Sequence, residues 1–202
     1  KMDAVAKPGA ILASNTSALD IDKMAEATKR PDSVIGLHFF SPANVMRLLE
    51  IVRGAKTSNE TIASSMKLGR TLNKIAVLSG NAPGFIGNRM LGGYTRQAGE
   101  IILQGATPYQ VDNALLQFGM PMGPFQMNDL VGLDLGWRAR KLSGMKPEDV
   151  PITARVADKL CEMDRYGQKT SRGFYISPEG SRAGQPDPEV VSIVEETSAE
   201  LG

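Results

Sequence analysis

The chain has 202 residues, 42% of them hydrophobic, which is enough apolar material for a substantial core. The 23 basic and 22 acidic side chains leave a net charge of +1, so no long-range attraction to nucleic acid or to an acidic membrane surface is expected. The single cysteine, Cys161, excludes an internal disulfide and indicates a reducing compartment. One histidine and one cysteine do not make a common zinc site, and no apolar run reaches the length of a membrane span.

The first part of the chain alternates between short apolar runs and helical patterns. Residues 1–6 read as the end of a helix already under way, so we expect the chain to be a piece of a longer protein. Strands are predicted at residues 10–14, 34–40, 48–52 and 74–78. Helices are predicted at residues 20–28 and 59–72. This alternation indicates an α/β layer.

The pattern changes at the glycine- and proline-rich residues 79–84, beyond which we predict helices only. These helices are expected at residues 85–103, 107–118, 125–142 (one helix or a pair), 152–164 and 188–201. Residues 167–175 are predicted to form a loop. The chain is therefore expected to combine an incomplete α/β domain, residues 1–79, with an all-α domain, residues 80–202.

Neither of the two common phosphate-binding motifs is present in the chain. A search for G-x-G-x-x-G and for G-x-x-x-x-G-K-[ST] finds no match. Four strands without such a loop do not complete a doubly wound nucleotide-binding domain. The absence of both motifs is important, because a hydride transfer to a nicotinamide would need a bound dinucleotide.

The only histidine, His38, is the most informative residue of the chain. It lies in one predicted strand, and Glu50 lies in the next. An imidazole moves protons near neutral pH, and a carboxylate can fix its tautomer and stabilise its charged form. The two side chains can meet if these strands are neighbours. Spacing alone leaves open the alternative of a half-buried histidine that only packs.

Two further polar residues complete a candidate constellation: Ser17, just after the first strand, and Asn88, in the first turn of the predicted helix 85–103. Ligand crevices form at the carboxyl ends of strands and between domains. We expect His38 to act as general base for an alcohol, Glu50 to support it, and Ser17 and Asn88 to hold the substrate oxygen. A hydride leaving the same carbon would go to a nicotinamide. The alternatives are an ordinary turn serine and an exposed helical asparagine.

Seven segments, in order along most of the chain, carry a resemblance to a known family. They are LASNTS at 12–17, GLHFFSP at 36–42, MRLLEIV at 46–52, PGFIGNR at 83–89, GMPMGP at 119–124, DLVGLD at 129–134 and GQKTSRGFY at 167–175. The chain resembles the L-3-hydroxyacyl-CoA dehydrogenases. It is most similar to the dehydrogenase part of multifunctional fatty-acid β-oxidation enzymes of the peroxisomal bifunctional type and their bacterial relatives.

The resemblance implies a Rossmann-like sheet followed by a helical domain like that of 6-phosphogluconate dehydrogenase. It implies NAD-dependent oxidation of an L-3-hydroxyacyl-CoA, with His38 and Glu50 as the catalytic pair and Ser17 and Asn88 on the substrate oxygen. Ser17, Ser41 and Lys169 are then expected near the cofactor, although many members have asparagine where this chain has Ser41. The resemblance also implies that the helical domain pairs with its like, either in a homodimer or with an internal repeat. The expected location is a bacterial cytoplasm or, alternatively, a peroxisome.

The departure from the family lies at the front of the chain. The first βαβ unit, with its glycine fingerprint and acidic ribose ligand, would precede Lys1, so this piece alone is expected to bind NAD poorly. Two other functions stay open: a helical association module without activity of its own, and a related dehydrogenase of a hydroxy acid that carries no CoA.

Overall fold

The computed structural model describes residues 2–178 and 184–200. The chain divides into two compact units, Lys1–Gly92 and Gly93–Gly202. The division falls inside helix α4, Gly87–Leu103. The predicted domain boundary after residue 79 stays a prediction.

The first unit is an α/β layer. In chain order it contains α1 (Met2–Val5), β1 (Leu12–Ser14), α2 (Ile21–Glu26), β2 (Val34–Phe39), β3 (Leu48–Arg53), α3 (Asn59–Thr71), β4 (Ile75–Gly80) and the start of α4. All four predicted strands and both predicted helices are present, with ends shifted by a few residues. Asp20 caps α2 as predicted, because its side chain accepts a hydrogen bond from the amide of Asp22.

The sheet order is β1-β2-β3-β4. Strands β1 and β2 are parallel, as are β3 and β4, but β2 and β3 are antiparallel. Side chains alternate between the faces, so Ile35 and Leu49 pack on the side of α3, while Val34 and Val52 pack on the side of α2. Helices therefore cover both faces, as in the Rossmann-like layer that the sequence predicts.

The second unit is mainly helical. It contains the remainder of α4, then α5 (Pro108–Phe118), α6 (Pro124–Val131), α7 (Asp134–Leu142), α8 (Ile152–Glu162) and α9 (Pro188–Ala199). The predicted region 125–142 is a pair of helices, separated at Gly132, whose φ of +102° suits glycine. Thr107 and Gln110 form the predicted capping box at the start of α5.

The prediction of helices only beyond residue 79 is wrong in one place. A two-stranded antiparallel ladder joins β5, Tyr175–Ile176, to β6, Gln185–Pro186. Each strand has only two residues, which is too short to produce a periodic pattern. The predicted loop before β5 also contains a single 3₁₀ turn, Gln168–Thr170.

The core of the second unit is one cluster drawn mainly from α4, α5, α6, α8, α9 and β5, with the partly buried Trp137 of α7 packed against it. Its fully buried members include Ile102, Val156, Leu160, Cys161 and Val190. Cys161 is thus a core residue, as its position on the apolar face of α8 indicates. Among the described residues, no helix is both long and apolar enough to cross a lipid bilayer.

Candidate active site

His38 and Glu50 lie directly opposite each other in the antiparallel register of β2 and β3. The Nδ1 atom of His38 is 2.7 Å from the Oε2 atom of Glu50. Both side chains project to the face that α2 covers, and they are only 6% and 1% exposed. The structure therefore brings together the two residues that the sequence singled out, in the geometry of an oriented imidazole–carboxylate pair.

The second oxygen of Glu50 is bound by the beginning of α4. Its Oε1 atom accepts hydrogen bonds from the amides of Ile86, at 2.9 Å, and Gly87, at 2.8 Å. A carboxylate as buried as this one needs such partners, and a helix N-terminus carries a partial positive charge. These bonds fix Glu50 in place and leave Oε2 for the imidazole.

A left-handed turn aims these two amides at Glu50. Gly84 has a φ of +73°, and Phe85, which is buried, has a φ of +48°. Positive φ in a bulky residue is rare and costs roughly 1–3 kcal/mol, so it persists only where the surroundings impose it. The predicted helix 85–103 includes Phe85 and does not anticipate this turn, although the preceding Pro83-Gly84 is a breaker signal.

Two aromatic rings surround the imidazole of His38. The Phe40 ring centroid is 4.5 Å away, and the Phe85 centroid is 5.8 Å away. Since Nδ1 is bonded to Glu50, Nε2 is the ring nitrogen left to exchange a proton with a ligand. Within the part of the chain that the structure describes, Nε2 has no hydrogen-bond partner.

The other predicted residues of this unit lie at or after the carboxyl ends of strands. Ser17 is exposed, three residues past β1, and Ser41 is exposed, two residues past β2. Because β1 and β2 are parallel, these ends share one edge of the sheet, and Asn15 Oδ1 ties them by accepting the Phe39 amide at 2.9 Å. Asn88, half-buried, is the second residue of α4. Across the described residues, the side chains of Ser17, Ser41 and Asn88 form no hydrogen bond, so their polar groups are available to a ligand.

Lys169 belongs to the second unit and is engaged there. Its ammonium group is hydrogen-bonded to the carboxylate of Asp134, which is buried and also lies 3.3 Å from the guanidinium of Arg138. The bond from Lys169 holds the pKa of Asp134 below its usual range. The charge of Lys169 is thus compensated within its own unit, and its role beside a cofactor stays a prediction.

The first unit fits one end of a dinucleotide only. Exposed serine hydroxyls at a common sheet edge suit the polar carboxamide of a nicotinamide. A pyrophosphate needs amides of a glycine-rich turn at a helix N-terminus. The turn from β1 into α2 instead presents Asp20 and Asp22, whose carboxylates accept hydrogen bonds from the Asn81 side chain at 2.6 and 2.8 Å. The turn from β1 into α2 therefore offers carboxylates and not a phosphate cradle.

Two buried carboxylates of the second unit were missed by the sequence analysis, and both have structural partners. Asp112 accepts two amides in the first turn of α6 and the hydroxyl of Tyr175. Asp129 accepts the amides of Phe174 and Tyr175, both at 2.9 Å, and burial raises its pKa to about 6. In residues 2–178 and 184–200, no group of three or more histidine, cysteine or acidic side chains is arranged to hold a metal ion.

Comparison with known proteins gives a consistent result over most of the chain. Residues 1–82 match the family model "3-hydroxyacyl-CoA dehydrogenase, NAD binding domain". Residues 84–177 match the model "3-hydroxyacyl-CoA dehydrogenase, C-terminal domain". Together, the two models of one family cover most of the chain, residues 1–82 and 84–177.

Similar proteins include the peroxisomal bifunctional enzymes of Danio rerio, 45% identical over 100% of this chain, and of Homo sapiens, 47% identical over 93%. The chain spans only 30% and 28% of the lengths of these two relatives. Among solved structures, the (S)-3-hydroxybutyryl-CoA dehydrogenase of Ralstonia eutropha is 34% identical, with a TM-score of 0.76. That match covers 88% of this chain and 64% of the other.

Proposed function

Since this chain belongs to the 3-hydroxyacyl-CoA dehydrogenase family, we propose that it supplies the proton-transfer site for NAD-dependent oxidation of an L-3-hydroxyacyl-CoA to the 3-ketoacyl-CoA in fatty-acid β-oxidation. The observation that carries this proposal is the 2.7 Å contact between His38 Nδ1 and the buried carboxylate of Glu50. The activity is proposed for the complete natural protein, because the chain spans less than a third of the curated relatives.

The proton is taken by Nε2 of His38. As the substrate hydroxyl loses its proton to Nε2, the ring becomes an imidazolium, and its Nδ1–H donates to Glu50. The amides of Ile86 and Gly87 hold the far oxygen of that carboxylate, so no side chain has to move during the step. Because His38 and Glu50 are already in place before the reaction, less free energy is needed to form the positive charge on the imidazole.

The remaining site residues orient the substrate. The Ser17 hydroxyl and the Asn88 amide are proposed to hydrogen-bond the substrate oxygen and keep it near His38. Ser17 and Ser41 are proposed to hold the nicotinamide end of NAD, with Lys169 as a further contact from the second unit. NAD, when bound, supplies the acceptor for the hydride that leaves the hydroxyl-bearing carbon.

The test is the substitution His38→Gln in the complete natural protein. Glutamine can still hydrogen-bond Glu50 but cannot accept a proton, so kcat for oxidation of an L-3-hydroxyacyl-CoA should fall roughly 10²- to 10⁴-fold. Circular dichroism and the unfolding midpoint should stay near their native values. Lys56→Gln, in an exposed turn of the same unit, is the matched control and should keep the native rate. Near-native turnover by the folded His38→Gln protein refutes the proposal.

The helical unit is proposed to mediate a homodimer. A groove of about 610 Å³ runs between α4 and α5, with apolar lining from residues such as Ile101, Val111 and Leu115. Ile101 is 45% exposed, and Phe118, at the end of α5, is 83% exposed. Apolar surface of this kind marks contact sites. Sedimentation should give a dimer that Ile101→Lys dissociates, whereas a native monomer at high concentration contradicts this proposal.

The proposed substrate carries CoA, because both matching family models are named for a 3-hydroxyacyl-CoA dehydrogenase and a similar solved structure is named as a 3-hydroxybutyryl-CoA dehydrogenase. The bifunctional enzymes are named as peroxisomal, which supports the peroxisome as the compartment, whereas they give no support to the expected bacterial cytoplasm. A substrate profile of the complete protein distinguishes a CoA thioester from a hydroxy acid without CoA.

A further inference from the structure

Gly87 lies between Glu50 and the ring of Phe40. Its amide donates to Glu50 Oε1 at 2.8 Å. On its other side, a Cβ atom added at this position would lie 2.8 Å from Cζ and 3.3 Å from Cε1 of Phe40. The space beside the first residue of α4 is therefore filled by the Phe40 ring, which leaves no room for a side chain.

The backbone of Gly87 does not itself require glycine. Its φ is not in the positive range, unlike that of Gly84 nearby. Gly87 begins a 17-residue helix, a setting in which alanine is intrinsically favoured over glycine. The hydrogen bond to Glu50 also tolerates a methyl group, since the added Cβ would be 3.7 Å from Oε1. What excludes a side chain at this position is thus the Phe40 ring alone.

Phe40 in turn packs on the base. Its ring centroid is 4.5 Å from that of His38, and the two planes are tilted by 47°. Phe40 is only half-buried, and the atoms nearest to Gly87 are at the far end of its ring. An added methyl group at position 87 would therefore push the ring outward and away from the imidazole rather than distort the backbone.

We propose that Gly87 is a positioning residue for His38. Because glycine has no side chain, the Phe40 ring can pack against the imidazole, and the amide of Gly87 holds Glu50 in place. The catalytic consequence rests on the proposed dehydrogenase function, whereas the geometric claim does not. Gly87 does not touch the substrate in this scheme. It acts on His38 indirectly, through the Phe40 ring that packs on the imidazole and through the Glu50 carboxylate that binds Nδ1.

The experiment is made on the 202-residue chain, in which His38 is the only histidine, so its ring signals in NMR spectra are unambiguous. Four variants are compared: Gly87→Ala, Phe40→Leu, the double variant, and Gly93→Ala as control. Gly93 lies in the same helix, and a Cβ added there meets nothing within 4 Å. We expect Gly87→Ala and Phe40→Leu to shift the His38 ring resonances, because both remove an aromatic ring from contact. Gly93→Ala should leave them unchanged.

The double variant decides whether Gly87 acts through Phe40. Once the ring is gone, alanine at position 87 should add no further shift, so the two effects should be non-additive. Unshifted His38 signals in Gly87→Ala, or additive shifts in the double variant, overturn the proposal. If Gly87→Ala alone fails to fold, the smaller leucine side chain at position 40 should restore folding in the double variant. A double variant that stays unfolded also overturns the proposal.

Turnover provides a readout that a purely structural role would not reproduce. In the complete natural protein, Gly87→Ala should lower kcat roughly ten- to hundred-fold with little change in KM, because the base is misplaced while substrate contacts remain. Gly93→Ala should keep both constants. A KM effect alone contradicts the positioning role. If the native protein shows no dehydrogenase activity while the NMR results are as expected, the proposed function fails and the geometric claim stands.

Discussion

Glu50 accepts hydrogen bonds on both of its oxygens, and the imidazole of His38 meets only one of them, at 2.7 Å. This division of partners determines what an isosteric amide would do at position 50. A glutamine has one accepting oxygen, and the Ile86 and Gly87 amides compete for it. The NH₂ group would then face Nδ1, which must accept instead of donate, and Nε2 would carry the proton.

We therefore predict that Glu50→Gln inverts the tautomer of His38. The ring nitrogen that faces the substrate would be protonated already, so kcat should fall roughly 10²- to 10⁴-fold. Nitrogen NMR of the 202-residue chain, in which His38 is the only histidine, measures the tautomer, and steady-state kinetics of the complete protein measures kcat. Native kcat together with an inverted tautomer would show that His38 is not the base.

Asp129 makes stability depend on pH. Burial raises the pKa of its carboxyl group to about 6, against an ordinary value of 3.8, so the folded protein binds this proton more tightly than the unfolded chain. The contribution of Asp129 to stability is therefore complete below pH 3.8 and is lost as the pH rises through about 6. It amounts to a few kcal/mol, since one unit of pKa is about 1.4 kcal/mol.

The measurement is urea unfolding of the native protein and of Asp129→Asn between about pH 4 and pH 7. Asparagine does not titrate, and the other groups cancel in the difference between the two proteins. As the pH rises, the free energy of unfolding of the native protein should fall relative to that of the variant. A difference that stays constant with pH would place the pKa of Asp129 near its ordinary value.

The thiol of Cys161 should be unreactive in the folded protein. It is 1% exposed, and burial raises the pKa of its thiol to about 12, so almost no thiolate exists at pH 8. We expect no reaction with a disulfide reagent such as Ellman's reagent in buffer, and one equivalent to react in denaturant. Because Cys161 is the only cysteine, the stoichiometry is unambiguous. Rapid labelling of the native protein would contradict the packing of α8.

Gly123→Ala should destabilise the second unit. A Cβ at this position would overlap the carboxylate of Asp112, which holds the first turn of α6. Overpacking of this kind costs about 1–3 kcal/mol. Gly93→Ala, inside α4 with nothing within 4 Å, is the matched control and should be neutral or stabilising. Thermal or urea unfolding gives both values, and equal stability of the two variants would contradict the prediction.

The sequence predicted those parts of the fold that local chemistry determines. Apolar runs located all four strands of the first unit, and side-chain caps located the starts of helices, as Asp20 does for α2 and Thr107 for α5. The contact of His38 with Glu50 required one further fact, the antiparallel pairing of β2 and β3. No local pattern specifies that pairing, since strand direction depends on how the whole sheet assembles.

Other features of the site depend on contacts between residues far apart in the sequence. The left-handed conformation of Phe85 is imposed by burial and by the amides that follow it, so helical propensity could not reveal it. Asp112 and Asp129 read as ordinary polar positions on helices. Their buried roles depend on Tyr175, which is 63 and 46 residues away along the chain, respectively.

The alternation of side chains along β3 ties the chemistry to the core. Leu49 and Ile51 pack toward α3, and Glu50, between them, points the opposite way toward His38. A slip of β3 by one residue would bury the carboxylate among the apolar side chains beneath α3 and would turn the two aliphatic side chains toward His38. The hydrophobic side chains of Leu49 and Ile51 thus select the register of β3. This register keeps Glu50 beside His38, although neither of these two polar residues selects it.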